Sequence, residues 1–126
     1  MKKEIREKVW NKYGRHCSYC GEEMEYHQMQ VDHIEPKRNG GGNEIENLAP
    51  ACRRCNKWKG TWSVEQFRTE IENQAQRLWE RNGGFRLARD FQQIKINEDF
   101  PVIFYFEKMA KACRSIDPLH ERIKKR

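Results

Sequence analysis

Four cysteines stand in two Cys-x-x-Cys pairs, Cys17/Cys20 and Cys52/Cys55. Between the pairs lies the run Val31-Asp32-His33-Ile34, and Asn56 directly follows the last cysteine. A pair spaced by two residues brings both sulfurs to one ion without backbone strain. Two such pairs make the all-thiolate donor set of a closed, tetrahedral zinc site. A metal held there staples both ends of the segment that carries Asp32 and His33. It thereby brings three side chains together: an imidazole able to move a proton near neutral pH, a carboxylate and an amide.

The rest of the composition favours a metal-dependent fold. The chain has 126 residues, one domain's worth, with 35% charged residues and a mean hydropathy of -1.10. A chain of this size buries only about 65–70% of its unfolded surface. The glycine-rich stretch Gly40-Gly41-Gly42 lies in the stapled segment, and its ordering would be marginal on burial alone. Structural zinc contributes an apparent binding free energy on the order of 10–16 kcal/mol, so the metal is expected to be obligatory.

No run approaches the roughly 18 apolar residues of a membrane helix, and Met1-Lys2-Lys3-Glu4 is not followed by an apolar signal region. Paired clips without an export signal point to thiolates in a reducing, cytoplasmic compartment rather than to disulfides. Cys113 is the odd cysteine and is read as a small buried hydrophobe. Net charge is +6, with 12 basic against 9 acidic residues up to Trp62 and 13 against 10 after it. The surplus is spread along the chain, a weak pointer to a polyanionic partner. The local pattern is sharper: Cys52 to Trp62 contains Arg53, Arg54, Lys57 and Lys59 and no acid.

The elements that must position these residues follow from periodicity and punctuation. Ile5, Val9 and Tyr13 predict a helix over 3–13, ended by Gly14. A knuckle over 15–21 holds the first cysteine pair. Strands are expected at 28–34 and 48–51, and a helix over 52–59. The first half is thus a β-loop-β-α unit preceded by a helix. Neighbouring residues of a strand face opposite ways, so Asp32 and His33 can share one target only if the chain leaves the strand near Asp32. Ser63-Val64-Glu65-Gln66 reads as a capping box opening an amphipathic helix that runs to Asn82-Gly83-Gly84. A shorter helix is expected over 85–93 with Phe85, Ala88 and Phe91 inward, and a buried strand over 102–106. The tail Arg122–Arg126 is read as frayed helix or disorder. The expected division is a core over 1–62 and an extension over 63–126, packed on the core.

Taken in order, Cys17-x-x-Cys20, Val31-Asp32-His33-Ile34, Gly40-Gly41, Glu46-Asn47-Leu48 and Cys52-x-x-Cys55-Asn56-x-x-Lys59-Gly60 resemble the HNH endonuclease family in its four-cysteine form. Phe85-Arg86-Leu87-Ala88 and the run from Val102 to Glu107 resemble, less specifically, extensions of small standalone phage and bacterial members. The resemblance implies an α+β fold with a zinc-stapled ββα-metal core, an N-terminal helix and a mostly helical extension. It also implies hydrolysis of DNA phosphodiesters. His33 would be the general base, and Asp32 and Asn56 would hold a catalytic Mg²⁺ or Mn²⁺. Asn47 would tie the loop so that the imidazole is aimed. Lys37, Arg38, Arg53, Arg54, Lys57 and Lys59 are the candidate phosphate contacts. Members act in the cytoplasm of bacteria or phage-infected cells. Homodimerisation and docking to a phage packaging partner stay open for the extension, and nothing here reads base sequence.

Two other functions fit parts of the pattern. Zinc nucleobase deaminases carry His-x-Glu followed by Pro-Cys-x-x-Cys, and His33-Ile34-Glu35 with Pro50-Ala51-Cys52-Arg53-Arg54-Cys55 comes near. Ala51 interrupts the second motif, and Cys17, Cys20, Asp32 and Asn56 are left without roles. A catalytically silent zinc module that binds nucleic acid is the other. His16 and His27 are read as surface residues, and Trp58 and Trp62 as packing residues.

Overall fold

The computed structural model describes residues 1–97 and 99–112. Cys113 and the basic tail, for which a buried site and a frayed end were expected, lie outside the described residues. The elements in chain order are α1 (Lys3–Asn11), β1 (Gln30–His33), β2 (Leu48–Ala51), α2 (Arg53–Lys59), α3 (Val64–Glu72), α4 (Gln74–Arg81), α5 (Gly83–Asp90) and α6 (Tyr105–Ala112). Single 3-10 turns stand at Tyr26–Gln28, Lys37–Asn39 and Ile45–Asn47. The fold is α+β. No described helix is long and apolar enough to cross a membrane.

The described residues fall into two compact units, one of residues 1–63 and 103–112, the other within residues 64–102. Residues 103–112, expected in the extension, fall in the first unit. In the first unit β1 and β2 pair antiparallel, with Gln30 opposite Ala51, Val31 opposite Pro50, Asp32 opposite Ala49 and His33 opposite Leu48. All four residues of β2 are buried. Lys12, just past α1, donates to the carbonyls of Ile45 (3.1 Å) and Leu48 (2.8 Å), and Arg6 to those of Tyr26 (3.2 Å) and Met29 (2.5 Å). These long basic side chains thus fasten α1 to both ends of the segment that leads into and out of the sheet. Val9, Met29 and Leu48 are fully buried.

The run at 102–106 is not a strand. Residues 101–104 are irregular and α6 starts at Tyr105. Glu107 decides this: its carboxylate accepts from the Phe104 amide at 2.9 Å, satisfying a free donor at the helix start. Phe104 is buried, and the amides of Tyr105 and Phe106 donate to the carbonyls of Tyr19 (3.0 Å) and Ser18 (2.8 Å). Tyr105 also stacks on His16 and lies where a Cβ on Gly21 would be, at 2.7 Å. Gly21 has φ +81, so glycine is required there twice over.

The second unit is helical throughout its described regular elements. The single helix expected from Ser63 to Asn82 is two, α3 and α4, separated at Asn73. Asn82 then caps α5 by accepting from the Phe85 amide at 3.0 Å, so that helix begins two residues earlier than expected. Among the described residues of this unit only Phe67 is buried. Phe91, expected inward, is 71% exposed and Leu87 60%.

Candidate active site and metal centre

The cysteine sulfurs of residues 17, 20, 52 and 55 all lie within 4.8 Å of one another. Cys20 and Cys52 sulfurs are 3.8 Å apart, the edge expected of a tetrahedron with metal–sulfur bonds of about 2.3 Å. Backbone amides support two of them: Tyr19 N–H donates to Cys17 Sγ and Cys55 N–H to Cys52 Sγ, both at 3.4 Å. Cys52 is the N-cap of α2, so the second clip and the start of that helix are one structure. A hydrogen bond from Cys55 pulls the Cys17 thiol down to about 4, whereas burial pushes Cys52 up to about 11. Crowded sulfurs resist ionising together, and a divalent cation is what allows all four to do so. The residues fit zinc. The Arg54 guanidinium lies beside the Cys20 and Cys55 sulfurs, which raise its pKa.

Asp32 and His33 are consecutive in a regular strand, and the chain does not leave it at Asp32. Their side chains therefore part. His33 is half-exposed, and its Nε2 lies 2.8 Å from Asn43 Oδ1. An amide oxygen only accepts, so this contact suits an Nε2 that carries a hydrogen, the tautomer that in a neutral ring leaves the lone pair on Nδ1. Asn47 ties the loop from both sides. Its Oδ1 accepts from Glu35 N–H (2.8 Å), and its Nδ2 donates to the carbonyls of Glu35 (3.1 Å) and Gly42 (2.8 Å). Gly41 passes so close that a Cβ would sit 1.8 Å from the Glu35 carbonyl oxygen. The glycine run thus lets the loop fold onto itself and present Asn43 to the imidazole.

Asp32 turns inward and is 4% exposed. Tyr19 Oη donates to its Oδ2 at 2.5 Å, and Lys59 Nζ lies 3.3 Å from Oδ1 and 3.2 Å from Oδ2. Burial raises the Asp32 pKa, while the bond from Tyr19 and the Lys59 charge oppose that rise. Tyr19 is held well above the usual phenol range, first by burial and then by the Asp32 charge, so it remains a donor. Phe104 packs edge-on against the Tyr19 ring with centroids 5.1 Å apart.

This geometry corrects one expected phosphate contact. The Lys59 side chain is 0% exposed and is committed to Asp32 and the His33 carbonyl (3.0 Å). The reason is helical phase: Lys59 shares the inward face of α2 with Cys55, while Arg53, Arg54 and Lys57 are exposed. Lys37 and Arg38 are exposed on the turn after Pro36. Trp58, expected to pack, is 55% exposed.

Asn56 lines a cavity of about 730 Å³ whose lining includes the basic Arg53, Arg54 and Lys57 and the acidic Glu22 and Glu23. Neither Asp32 nor His33 lines it. Asp32 has the oxygen chemistry that suits Mg²⁺, but its oxygens are engaged by Tyr19 and Lys59.

Asn43, Tyr19 and the inward role of Lys59 were not legible from spacing. Asn43 looks like any loop residue, and Tyr19 like filler between two ligands. The separation of Lys59 from Cys55 by one helical turn was the one available signal.

Residues 17–61 match the family model of the HNH endonucleases. The chain is similar to the CRISPR-associated endonuclease Cas9 of Corynebacterium diphtheriae, with 32% identity over 62% of this chain and 8% of that protein. Similarity to Cas9 of Actinomyces naeslundii is 46% over 34% of this chain and 4% of that protein. The SPbeta prophage protein YoqL of Bacillus subtilis is 33% identical over 52% of this chain and 34% of its own length. A crystal structure of the type II-C Cas9 enzyme from Actinomyces naeslundii aligns with a TM-score of 0.49 and 32% identity, over 53% of this chain and 7% of that one. The chain thus spans less than a tenth of the Cas9 proteins and about a third of YoqL. The likeness to the HNH endonucleases thus lies in residues 17–61, the segment that carries all four clip cysteines.

Proposed function

We propose that this protein is a DNA endonuclease with a structural zinc at Cys17, Cys20, Cys52 and Cys55 and His33 as general base. The observation that carries the reading is the His33–Asn43 contact at 2.8 Å inside a segment matching the HNH family. It supports a half-exposed imidazole whose Nδ1 is free to take a proton from water. The water oxygen would then attack phosphorus, the bond to the 3′-oxygen would break, that oxygen would take a proton from solvent as it leaves, and His33 would return its own proton to solvent. Family precedent gives 5′-phosphate and 3′-hydroxyl ends. Asn47 aims the loop. Lys37, Arg38, Arg53, Arg54 and Lys57 are the proposed phosphate contacts, which would hold the DNA in register without reading bases.

A requirement for Mg²⁺ or Mn²⁺ belongs to the proposal, with Asp32 and Asn56 as the ligands. The ion would supply charge neutralisation at the phosphate. We assign the setting to the bacterial or phage-infected cell, consistent with the prophage origin of one relative.

One observation favours a second reading, a silent zinc module that only binds DNA: Asp32 is closed off by Tyr19 and Lys59. A plasmid assay separates the two. Purified protein with Mg²⁺ or Mn²⁺ should nick or cut supercoiled DNA. His33→Ala should lose about 10²–10⁴ in rate while keeping zinc and DNA affinity. Cleavage by that variant at the parent's rate would reject His33, and DNA binding without cleavage by the parent would favour the silent module.

A further inference from the structure

Asp32 combines the chemistry of a divalent-ion ligand with the surroundings of a carboxylate that is already neutralised. Tyr19 reaches it from inside the first cysteine clip. Lys59 reaches it from one turn beyond Cys55, on the helix that the second clip caps. Both partners are thus delivered by the zinc staple. The Lys59 ammonium has three N–H donors, and three acceptors face it: both Asp32 oxygens and the His33 carbonyl. Every donor of this buried cation has an acceptor within reach, which is the condition for keeping a lysine inside.

Resting on the assignment of Asp32 as a metal ligand made above, we propose that the Lys59 ammonium is a built-in cation that keeps Asp32 closed. Lys59 and an incoming divalent ion then compete for one carboxylate. Two cations cannot occupy adjacent positions on a single buried carboxylate without strong mutual repulsion. The ion gains Asp32 only when Lys59 withdraws. Lys59 is the last residue of α2 and is followed by Gly60 at φ +52, so withdrawal requires opening only a helix end, where local opening is easiest. Apparent ion affinity is then the intrinsic affinity reduced by the fraction of molecules in the open state.

The test is Mn²⁺ binding to zinc-loaded protein without DNA, followed by the paramagnetic signal of the free ion, with zinc quantified in each sample. Lys59→Met keeps an unbranched chain and removes the charge. It should bind Mn²⁺ about tenfold or more tightly than the parent, as expected when the open state is at most about a tenth of the population. Adding Asp32→Asn to that variant should abolish the gain. Unchanged or weaker binding by Lys59→Met at parental zinc content overturns the latch. Should Lys59→Met lose zinc or fail to fold, Lys59→Arg decides, since it keeps the charge and can grip the carboxylate with two N–H groups. Affinity at or below the parent's supports the latch, and higher affinity overturns it. A Mn²⁺ site that survives Asp32→Asn removes the ligand assignment and the latch together. Asp32-dependent binding with no gain in Lys59→Met removes the latch alone and leaves the nuclease reading standing.

Discussion

Adjacent residues of one strand are set to different tasks here. His33 faces outward and is aimed by Asn43, whereas Asp32 is held inside by a phenol and an ammonium. The aiming depends on backbone contacts within the loop between β1 and β2, above all the approach of Gly41 to Glu35. Gly41→Ala would place a Cβ 1.8 Å from a backbone oxygen, which cannot step aside as a side chain can. At Gly42 the nearest obstacle is the end of the Glu44 side chain, which can rotate away. Gly41→Ala should therefore lower stability by about 1–3 kcal/mol or more and weaken cleavage. Gly42→Ala should stay near the parent. Denaturant unfolding of both variants checks this, and equal stability would show that the loop is not constrained as described.

At the scale of elements, the four-cysteine site is a junction and not an ornament. Cys52 is at once ligand and N-cap of α2, and the amide and side-chain hydroxyl of Ser18, inside the first clip, both bond to the Pro50 carbonyl of β2 at 2.8 and 2.7 Å. The start of α6 is bonded to the same clip. A zinc term on the order of 10–16 kcal/mol equals or exceeds the whole stability of a typical domain, about 5–15 kcal/mol. Chelation should therefore unfold the first unit, with loss of the amide signals of β1, β2 and α2. Lowering the pH should release zinc as the thiolates take up protons. Retention of a native amide spectrum in metal-free protein would reject the junction role.

For the whole molecule, charge and core are unevenly matched. The net charge of +6 is spread along the chain, but nearly all buried apolar residues among those described lie in the first unit. Five of the six candidate phosphate contacts are exposed there, and Lys59 is not. Each phosphate contact contributes a slope of about −0.9 to log K against log salt on duplex DNA, so five predict about −4.5. Anisotropy with the His33→Ala protein measures this without cleavage. A slope shallower than about −2 would dismiss these side chains as the DNA face. Lys57→Ala should make the slope less steep by about one.

Spacing and local residue types alone marked the four-cysteine cluster, the two short strands and the cysteine-capped helix. Those features follow from ligand geometry and from residues close in the chain. Hydrophobic period also located the helical stretches between residues 64 and 90, though neither the break at Asn73 nor α6. An apolar run such as 102–106 does not carry its own conformation, and there a single capping carboxylate from Glu107 settled it. Tertiary structure alone decided which way each polar side chain points. It turned Asp32 inward, gave it Tyr19 and Lys59, and supplied Asn43 to His33. Such pairings join residues 10 to 27 positions apart, and desolvation selects among donors that look alike in the sequence: a polar group taken out of water must find whichever partner the fold has brought within reach.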